Sequence, residues 1–134
     1  MDQRPAPLPD EVSLPYWEAA RDHRLVVQVC RECRAAQFPP DLVCHACLGA
    51  DLDFEESAGR GQLYTFAVYT RAFDAAFEVP YVLALVDLVD RPGVRLMTNI
   101  VDTPVDALAV DMPVEVTFED RGDWCLPQFR AVPT

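Results

Sequence analysis

The sequence Cys30-Arg31-Glu32-Cys33, followed after ten residues by Cys44-His45-Ala46-Cys47, decides what the N-terminal part of this chain can become. A C-x-x-C turn brings two thiolates to one side of a tight loop, and a second such turn completes a shell of four sulfur ligands. Zinc accepts four soft ligands in a tetrahedron, so the pattern predicts one zinc ion held by Cys30, Cys33, Cys44 and Cys47. With four protein ligands no position is open for water or substrate, which indicates a structural rather than a catalytic zinc.

Three alternatives remain open for these four cysteines. Four thiolates also hold iron, which would give a rubredoxin-like electron carrier. The cysteines could instead be buried or reactive thiols without a metal, or they could form disulfides, which a reducing cytoplasm disfavours. The fifth cysteine, Cys125, lies in an apolar, strand-like context and is interpreted as a small buried hydrophobic residue.

The overall composition is that of a folded globular chain, with 134 residues of which 51% are hydrophobic. The formal net charge is −11, and all 11 basic residues are arginines. Such an acidic chain repels nucleic acid and anionic membranes, so we expect neither as a partner. The sequence shows no apolar leader and no run long enough to span a membrane, and the default expectation is therefore a cytoplasmic location.

Around the cysteine pairs, the sequence predicts a two-part, mostly β protein. Residues 1–58 are expected to hold an N-terminal arm, one short helix and a rubredoxin-like zinc ribbon, and residues 59–134 a five-stranded OB-fold barrel. The boundary is placed at the glycine-containing loop over residues 58–61. Ser13 is predicted to cap the helix, with Pro15 in its first turn.

The barrel prediction depends on five segments of β-rich or alternating sequence. They are separated by turn signals such as Arg91-Pro92-Gly93, and a longer connection with one helical turn precedes the fourth segment. Five short strands with this spacing favour a small Greek-key barrel, which removes the exposed edges of so small a sheet. The segments are residues 63–70, 81–89, 94–101, 114–118 and 124–132.

Candidate contact residues fall into two groups. Tyr16 and Trp17 share one face of the short helix, which could pack on the chain's own core or on a partner, and the sequence leaves both open. Arg60, Arg71 and Arg95 are candidates for contact with a partner or with the anionic nucleotide of CoA. Guanidinium groups recognise phosphate well, and these arginines lie against a negative background.

The sequence contains few residues that could take part in catalysis. His23 and His45 are the only histidines; His45 lies inside the second cysteine pair, and His23 is expected to face solvent. No nucleophile–base pair is apparent, so we do not expect catalysis by this chain alone. The alternative from a different class is a nucleic-acid-binding zinc-ribbon and OB-fold protein, which would need a basic face.

The order of these features resembles a known family. The chain is similar to the acyl-CoA-associated OB-fold proteins that carry an N-terminal rubredoxin-like zinc ribbon, formerly a domain of unknown function. The resemblance extends from Pro15 to Val132 and rests on the order of its motifs, among which the cysteine quartet is the most specific. The other motifs are Pro39-Pro40, Gly59-x-Gly61-x-Leu63-Tyr64-Thr65-Phe66, Pro80-Tyr81-Val82, Asp111-Met112-Pro113-Val114-Glu115-Val116 and Pro127-x-Phe129.

The resemblance implies a non-catalytic accessory subunit of an acyl-CoA-processing complex. The expected partner is a thiolase-like, lipid-transfer-protein-like aldolase in the side-chain degradation of steroid or other acyl-CoA substrates, with a CoA thioester as a shared ligand. A MaoC-like enoyl-CoA hydratase is the alternative partner. The chain departs from the family's usual knuckles at Arg34, where Gly is common, and at Gly49, which comes one position late.

Overall fold

The fold is taken from a computed structural model that describes residues 7–72 and 75–133. These residues contain one α-helix, a three-stranded sheet and a five-stranded sheet. The predicted fold class, in which a helix and a ribbon precede a mostly β barrel, is confirmed. None of the described helical segments combines the length and the apolar character needed to cross a membrane.

Helix α1 (Leu14–Arg21) begins after Ser13, which occupies the N-cap position, and Pro15 lies in its first turn as expected. The Ser13 hydroxyl does not cap the helix, however. It accepts a hydrogen bond from the Asp10 N–H at 3.1 Å, while the Asp10 carboxylate accepts one from the Ser13 N–H at 2.7 Å. The residues before the helix are therefore closed into a turn by their own side chains.

The three-stranded sheet forms the base of the ribbon. Its central strand β1 (Leu25–Cys30) pairs antiparallel with β2 (Ala36–Gln37) on one side and β3 (Leu52–Ser57) on the other. All six residues of β1 are buried, so this strand is covered on both faces. Strand β2 was not predicted, because two residues are too few for alternation to show.

The five-stranded sheet curls into a nearly closed barrel with the strand order β6-β5-β4-β7-β8. It closes where Ile100 forms a parallel bridge to Phe129 and the Val101 N–H donates to the Phe129 carbonyl at 2.8 Å. The helical turn expected in the longer connection is a 3₁₀ turn, Val105–Ala107. The strands are β4 (Arg60–Tyr69), β5 (Tyr81–Leu88), β6 (Arg95–Asn99), β7 (Pro113–Arg121) and β8 (Trp124–Ala131).

The loop predicted over residues 58–61 is shorter than expected, because β4 already begins at Arg60. Gly61 belongs to the strand, and a Cβ at this position would lie 2.9 Å from the Asp87 carbonyl oxygen of β5. Glycine here marks a close approach of two strands rather than a turn. Gly59, with φ +76°, is the actual turn residue. The domain boundary between residues 58 and 59 stays a prediction.

A single hydrophobic cluster joins the helix, the base of the ribbon and the barrel interior. Tyr16 comes from α1, Val27 from β1, and Phe129 from β8. The end of α1 is also fastened to the barrel by Arg21. Its Nε donates to the Asp123 carbonyl at 3.0 Å, and its guanidinium lies 4.2 Å from the centre of the Trp124 ring.

The junction between the two sheets is held by the turn after β5. The Ser57 hydroxyl and the Ala58 N–H donate to the two carboxylate oxygens of Asp90, at 2.7 and 2.8 Å. Burial raises the pKa of Asp90, but these two donors and the positive charge of Arg91 outweigh it and leave the pKa below its usual value. The Arg91 guanidinium donates to the Glu56 carbonyl at 2.8 Å and pairs with the Glu55 carboxylate at 3.3 Å, so Asp90 and Arg91 both tie the end of β3 to the barrel.

Candidate metal centre and contact surfaces

The four predicted ligands converge at one end of the three-stranded sheet. Their sulfur atoms all lie within 4.8 Å of one another, with Cys30 Sγ to Cys47 Sγ at 3.7 Å and Cys33 Sγ to Cys44 Sγ at 3.5 Å. A tetrahedral ion with Zn–S bonds of about 2.3 Å requires sulfur–sulfur separations of about 3.8 Å. The chemistry and the spacing of this donor set therefore fit a tetrathiolate zinc ion.

The two cysteine pairs form equivalent knuckles. In the first, residues 30–35, the Arg34 N–H donates to the Cys30 carbonyl at 2.9 Å. In the second, residues 44–49, the Leu48 N–H donates to the Cys44 carbonyl at the same distance. Arg34 and Leu48 both have left-handed backbones, with φ of 66° and 64°. The left-handed conformation that glycine usually supplies is therefore present in both knuckles without glycine.

Backbone N–H groups stabilise negative charge on the sulfur atoms. The N–H groups of Cys47 and Ala46 lower the pKa of Cys44 to about 6. The Gly49 N–H lowers the pKa of Cys47, but hydrogen bonding to the Cys30 thiol and burial outweigh it and raise this pKa to about 12. The chain's own donors thus favour one thiolate, and four thiolates so close together need a cation to offset their repulsion.

Two buried glutamines, which the sequence analysis missed, hold the second knuckle in place. Gln28 of β1 and Gln37 of β2 are cross-strand partners, and the Gln37 amide donates to Gln28 Oε1 at 2.7 Å. Gln37 Oε1 accepts the His45 N–H at 2.7 Å, and Gln28 binds both the N–H and the carbonyl of Asp41 at 2.9 Å. The available signal was the polar Gln28 inside the otherwise apolar run of β1.

The predicted partner-contact residues of the helix have different environments. Tyr16 lies in the chain's own core, only 8% exposed, and burial raises the pKa of its hydroxyl. Trp17 is half-buried against that core and contacts Tyr16 edge-to-face, with ring centres 4.9 Å apart. Of the two rings, Trp17 is the more accessible, and its contact with a partner stays a prediction.

The three candidate arginines do not converge on one site. Arg60 begins β4 and lies 4.0 Å from Glu115, whereas Arg71 lies beyond the other end of this ten-residue strand, roughly 30 Å away along the chain. Arg95 forms two hydrogen bonds to the Asp87 carboxylate, at 2.7 and 3.1 Å. All three are exposed, and the structure brings no two of them together as an anion site.

A cavity of about 1010 Å³ opens between the β4–β5 connection and the residues that follow β6. Its described lining includes the carboxylates Glu78, Asp102 and Glu119 and no arginine. The cavity is therefore a poor place for the phosphates of CoA.

Each of the remaining candidate catalytic groups contacts different partners in the described residues. The His23 ring stacks on Phe118 at 4.9 Å, and His45 Nε2 lies 3.1 Å from an Asp41 oxygen. Cys125 is buried outside the cysteine cluster, and burial raises the pKa of its thiol, which makes it a poor nucleophile.

A closed cysteine quartet on a small ribbon, followed by a five-stranded barrel, defines the class of zinc-ribbon and OB-fold proteins. Two family models match the chain: "ChsH2, rubredoxin-like zinc ribbon domain" over residues 17–53, and "ChsH2, C-terminal OB-fold domain" over residues 54–119. Together with the relatives described next, these matches show that the chain belongs to the ChsH2 (DUF35) family. The resemblance read from the sequence is thereby confirmed.

Two solved structures are similar over most of the chain. A chain in a structure described as "Ltp2-ChsH2(DUF35) aldolase" is 36% identical, with a TM-score of 0.84, and the match covers 94% of this chain and 98% of that one. A DUF35-family protein of unknown function from Sulfolobus solfataricus has a TM-score of 0.66 over 91% of this chain and 86% of that one. At 9% identity, the second likeness shows the fold alone.

Two curated relatives are described as hydratase subunits. The "probable enoyl-CoA hydratase alpha subunit" of Thermomonospora curvata is 40% identical over 97% of this chain and 41% of its own length. The "3-oxo-4,17-pregnadiene-20-carboxyl-CoA hydratase alpha subunit" of Mycobacterium tuberculosis is 28% identical over 83% of this chain and 35% of its own length. The chain thus spans about two fifths of the length of these relatives or less.

Proposed function

We propose that this chain is a non-catalytic accessory subunit of an acyl-CoA-processing enzyme, with a thiolase-like aldolase as its partner. The observation that carries the proposal is the 36% identity to nearly the whole of a chain in the Ltp2-ChsH2 aldolase structure. The non-catalytic part is supported because, among the described residues, His23 stacks on Phe118, His45 contacts Asp41, and Cys125 contacts the Arg21 carbonyl, rather than one of the three pairing with another. The substrates we expect for the complex are CoA thioesters with steroid or other acyl side chains.

A MaoC-like enoyl-CoA hydratase is the second candidate partner, because two relatives are described as hydratase alpha subunits. The region similar to this chain makes up 98% of the chain in the aldolase structure, but only 41% and 35% of the hydratase subunits. In the aldolase the similar region is nearly a whole chain, and we therefore rank the aldolase first.

We propose a structural zinc ion bound by Cys30, Cys33, Cys44 and Cys47. The supporting observations are the sulfur–sulfur distances and the match to a rubredoxin-like zinc ribbon model. The ion would supply the positive charge that allows all four sulfurs to bind as thiolates, and the four ligands leave no open position for chemistry. Elemental analysis should find one zinc per chain; iron with visible absorption in protein from native cells would contradict this assignment.

For the partner contact we propose Trp17, with Tyr16 supporting it from the core. A CoA thioester shared with the partner would meet a single arginine of this chain rather than a cluster. Arg60 and Arg95 already face carboxylates, so we assign this contact to Arg71 first. We also propose a cytoplasmic location, since none of the five cysteines forms a disulfide, and a reducing compartment preserves that state.

The test is co-expression with a thiolase-like protein and, separately, with a MaoC-like protein. We expect co-elution with the aldolase in gel filtration, acyl-CoA cleavage only by the complex, and no turnover by this chain alone. Trp17→Ala should lower the binding free energy of the complex by more than it lowers the free energy of unfolding of the isolated chain. Failure to co-elute with either protein, or turnover by the isolated chain, would overturn the proposal.

Binding of nucleic acid would place the chain in a different functional class, that of the nucleic-acid-binding proteins. At a net charge of −11 the chain gains little from counterion release, so we expect no binding at physiological salt. Fluorescence anisotropy with single-stranded DNA and RNA measures this directly. A micromolar affinity that falls as salt rises would support the nucleic-acid alternative instead.

A further inference from the structure

One outer surface of the barrel is apolar where a solvated sheet would carry polar side chains. Along β5 the burial alternates strictly between inward residues, which are buried, and outward residues, which are half-buried. Alternation of this kind normally places apolar residues inside and polar residues outside. In β5, however, the outward positions include Leu83 and Leu85.

The strand register extends this surface across three strands. Leu85 lies between Thr65 of β4 and Met97 of β6. Leu83 lies between Ala67 of β4 and Asn99 of β6. Cross-strand partners point to the same side of a sheet, so these side chains share the outside of the barrel. Met97 is 68% exposed. We call Ala67, Leu83, Leu85 and Met97 the outer face.

The packing of the described residues does not explain the outer face. Helix α1 packs on β1 and β8, which lie elsewhere in the fold. Among the described residues, Leu83 and Leu85 are absent from the partly buried side chains that pack against the hydrophobic core. These leucines therefore add little to the chain's own core, while they present apolar area to solvent.

The outer face is also electrically neutral at its edge. Asp87, the next outward residue of β5, is paired with Arg95, whose guanidinium also lies 3.5 Å from the centre of the Tyr64 ring. The edge thus presents a neutralised ion pair and an aromatic ring next to the apolar residues. A neutral, apolar area of this kind matches the core of an interface, where charged residues are depleted.

We propose that the outer face docks the partner enzyme subunit through an apolar patch bordered by arginine or lysine. A second copy of this chain is the wrong occupant, because it would bring a charge of −11 against −11. A partner with a basic border is attracted by the same charge that repels a copy. This inference rests on the proposed function and adds where the contact lies.

The test is the double variant Leu85→Thr with Met97→Thr. Threonine keeps the strand preference and changes only outward side chains, so the melting temperature should stay close to that of the wild type. Val110→Thr is the matched control, because Val110 is an apolar residue that is 58% exposed and lies outside the barrel strands. Biolayer interferometry on the immobilised aldolase subunit should show affinity weakened by about tenfold or more for the double variant and unchanged for the control.

Each other outcome counts against the inference in a distinct way. If the wild type and the double variant bind the aldolase equally, the outer face is not the docking site, and the proposed function stands. If the wild type binds neither aldolase nor hydratase, the proposed function fails and this inference fails with it. If gel filtration shows a wild-type dimer that the double variant abolishes, the occupant is a second copy and the proposed partner is wrong.

Discussion

The two cysteine knuckles have the same backbone but are held in place by different interactions. The first carries Arg31, which pairs with Asp53 at 2.9 Å, and Arg34, which pairs with Glu55 at 2.9 Å, both carboxylates lying on β3. The second carries no such ion pair to the sheet in the described residues. It is anchored instead by the buried side chains of Gln28 and Gln37.

The surfaces of the two knuckles differ accordingly. The first is covered by charged side chains that are themselves exposed, and such ion pairs contribute little to stability. The second presents Leu48, which is 74% exposed, and Leu42 in the loop before it is 73% exposed. The same ligand geometry is therefore surrounded by exposed ion pairs in the first knuckle and by buried amides in the second. The following predictions distinguish the contributions of these two kinds of interaction.

The largest effect should come from the ligands, where the knuckles are equivalent. Cys30→Ser and Cys44→Ser should each abolish metal binding and unfold the ribbon, because a structural zinc site contributes on the order of 10 kcal/mol or more to the folding of its module. Zinc content and circular dichroism measure both effects. Cys125→Ser is the control and should keep its metal; a variant at Cys30 that retains zinc while the one at Cys44 loses it would break the equivalence.

A smaller effect should separate the anchors of the knuckles. Gln37→Leu removes the acceptor of the His45 N–H and a donor to Gln28, and leaving buried polar groups unpaired should cost about 1–3 kcal/mol. Urea unfolding measures the stability, and the rate of zinc transfer to a chelator should rise. Leu42→Ala, at a side chain of the same loop that is 73% exposed, is the control. Equal chelation rates for Gln37→Leu and wild type would show that the amide network does not hold this knuckle.

Glycine substitutions at the left-handed positions should stabilise the chain. Leu48→Gly relieves a left-handed strain of about 1–2 kcal/mol and loses roughly half of that gain to backbone entropy. Arg34→Gly should gain less, because it also removes the ion pair with Glu55. Thermal unfolding of both variants gives the comparison. A larger gain at Arg34 than at Leu48 would show that the ion pair contributes nothing.

The smallest effect should be the salt dependence of the first knuckle. Arg31 hydrogen-bonds Asp53 and lies 3.4 Å from Asp51, but all three side chains are exposed, so added salt should screen these pairs. Arg31→Gln should therefore lower the melting temperature slightly at low salt and not at high salt. The same titration on Gln37→Leu should show a salt-independent loss, and a salt-dependent one would contradict the distinction between the two anchors.

Much of this molecule could be predicted from its sequence, because the strongest signals are local. Doubled C-x-x-C spacing predicts the convergence of four sulfurs, and alternation around turn signals predicts the five barrel strands. The zinc ligands and the fold thus depend on patterns that short stretches of chain carry. Each knuckle lacks the expected glycine at its left-handed position. Arg34 and Leu48 show that the backbone tolerates a side chain there.

The features that sequence reasoning missed depend on neighbours distant in the chain. Gln28 and Gln37 meet only because β1 and β2 pair. No local pattern in the sequence indicates that the buried Gln28 has a second buried amide, that of Gln37, as its partner. Gly61 looked like a loop residue because the close approach of Asp87 is not visible in the sequence. The outward leucines of β5 read as ordinary strand residues until the register shows which side of the sheet they occupy.

The shared core has a consequence for how the two halves of this chain can change. Sequence models divide the chain between residues 53 and 54, yet one apolar cluster runs from Tyr16 and Val27 to Phe129. A half transplanted onto another protein would leave its side of that cluster facing water. The ribbon and the barrel are therefore separable as stretches of sequence but would have to be inherited, exchanged or redesigned together.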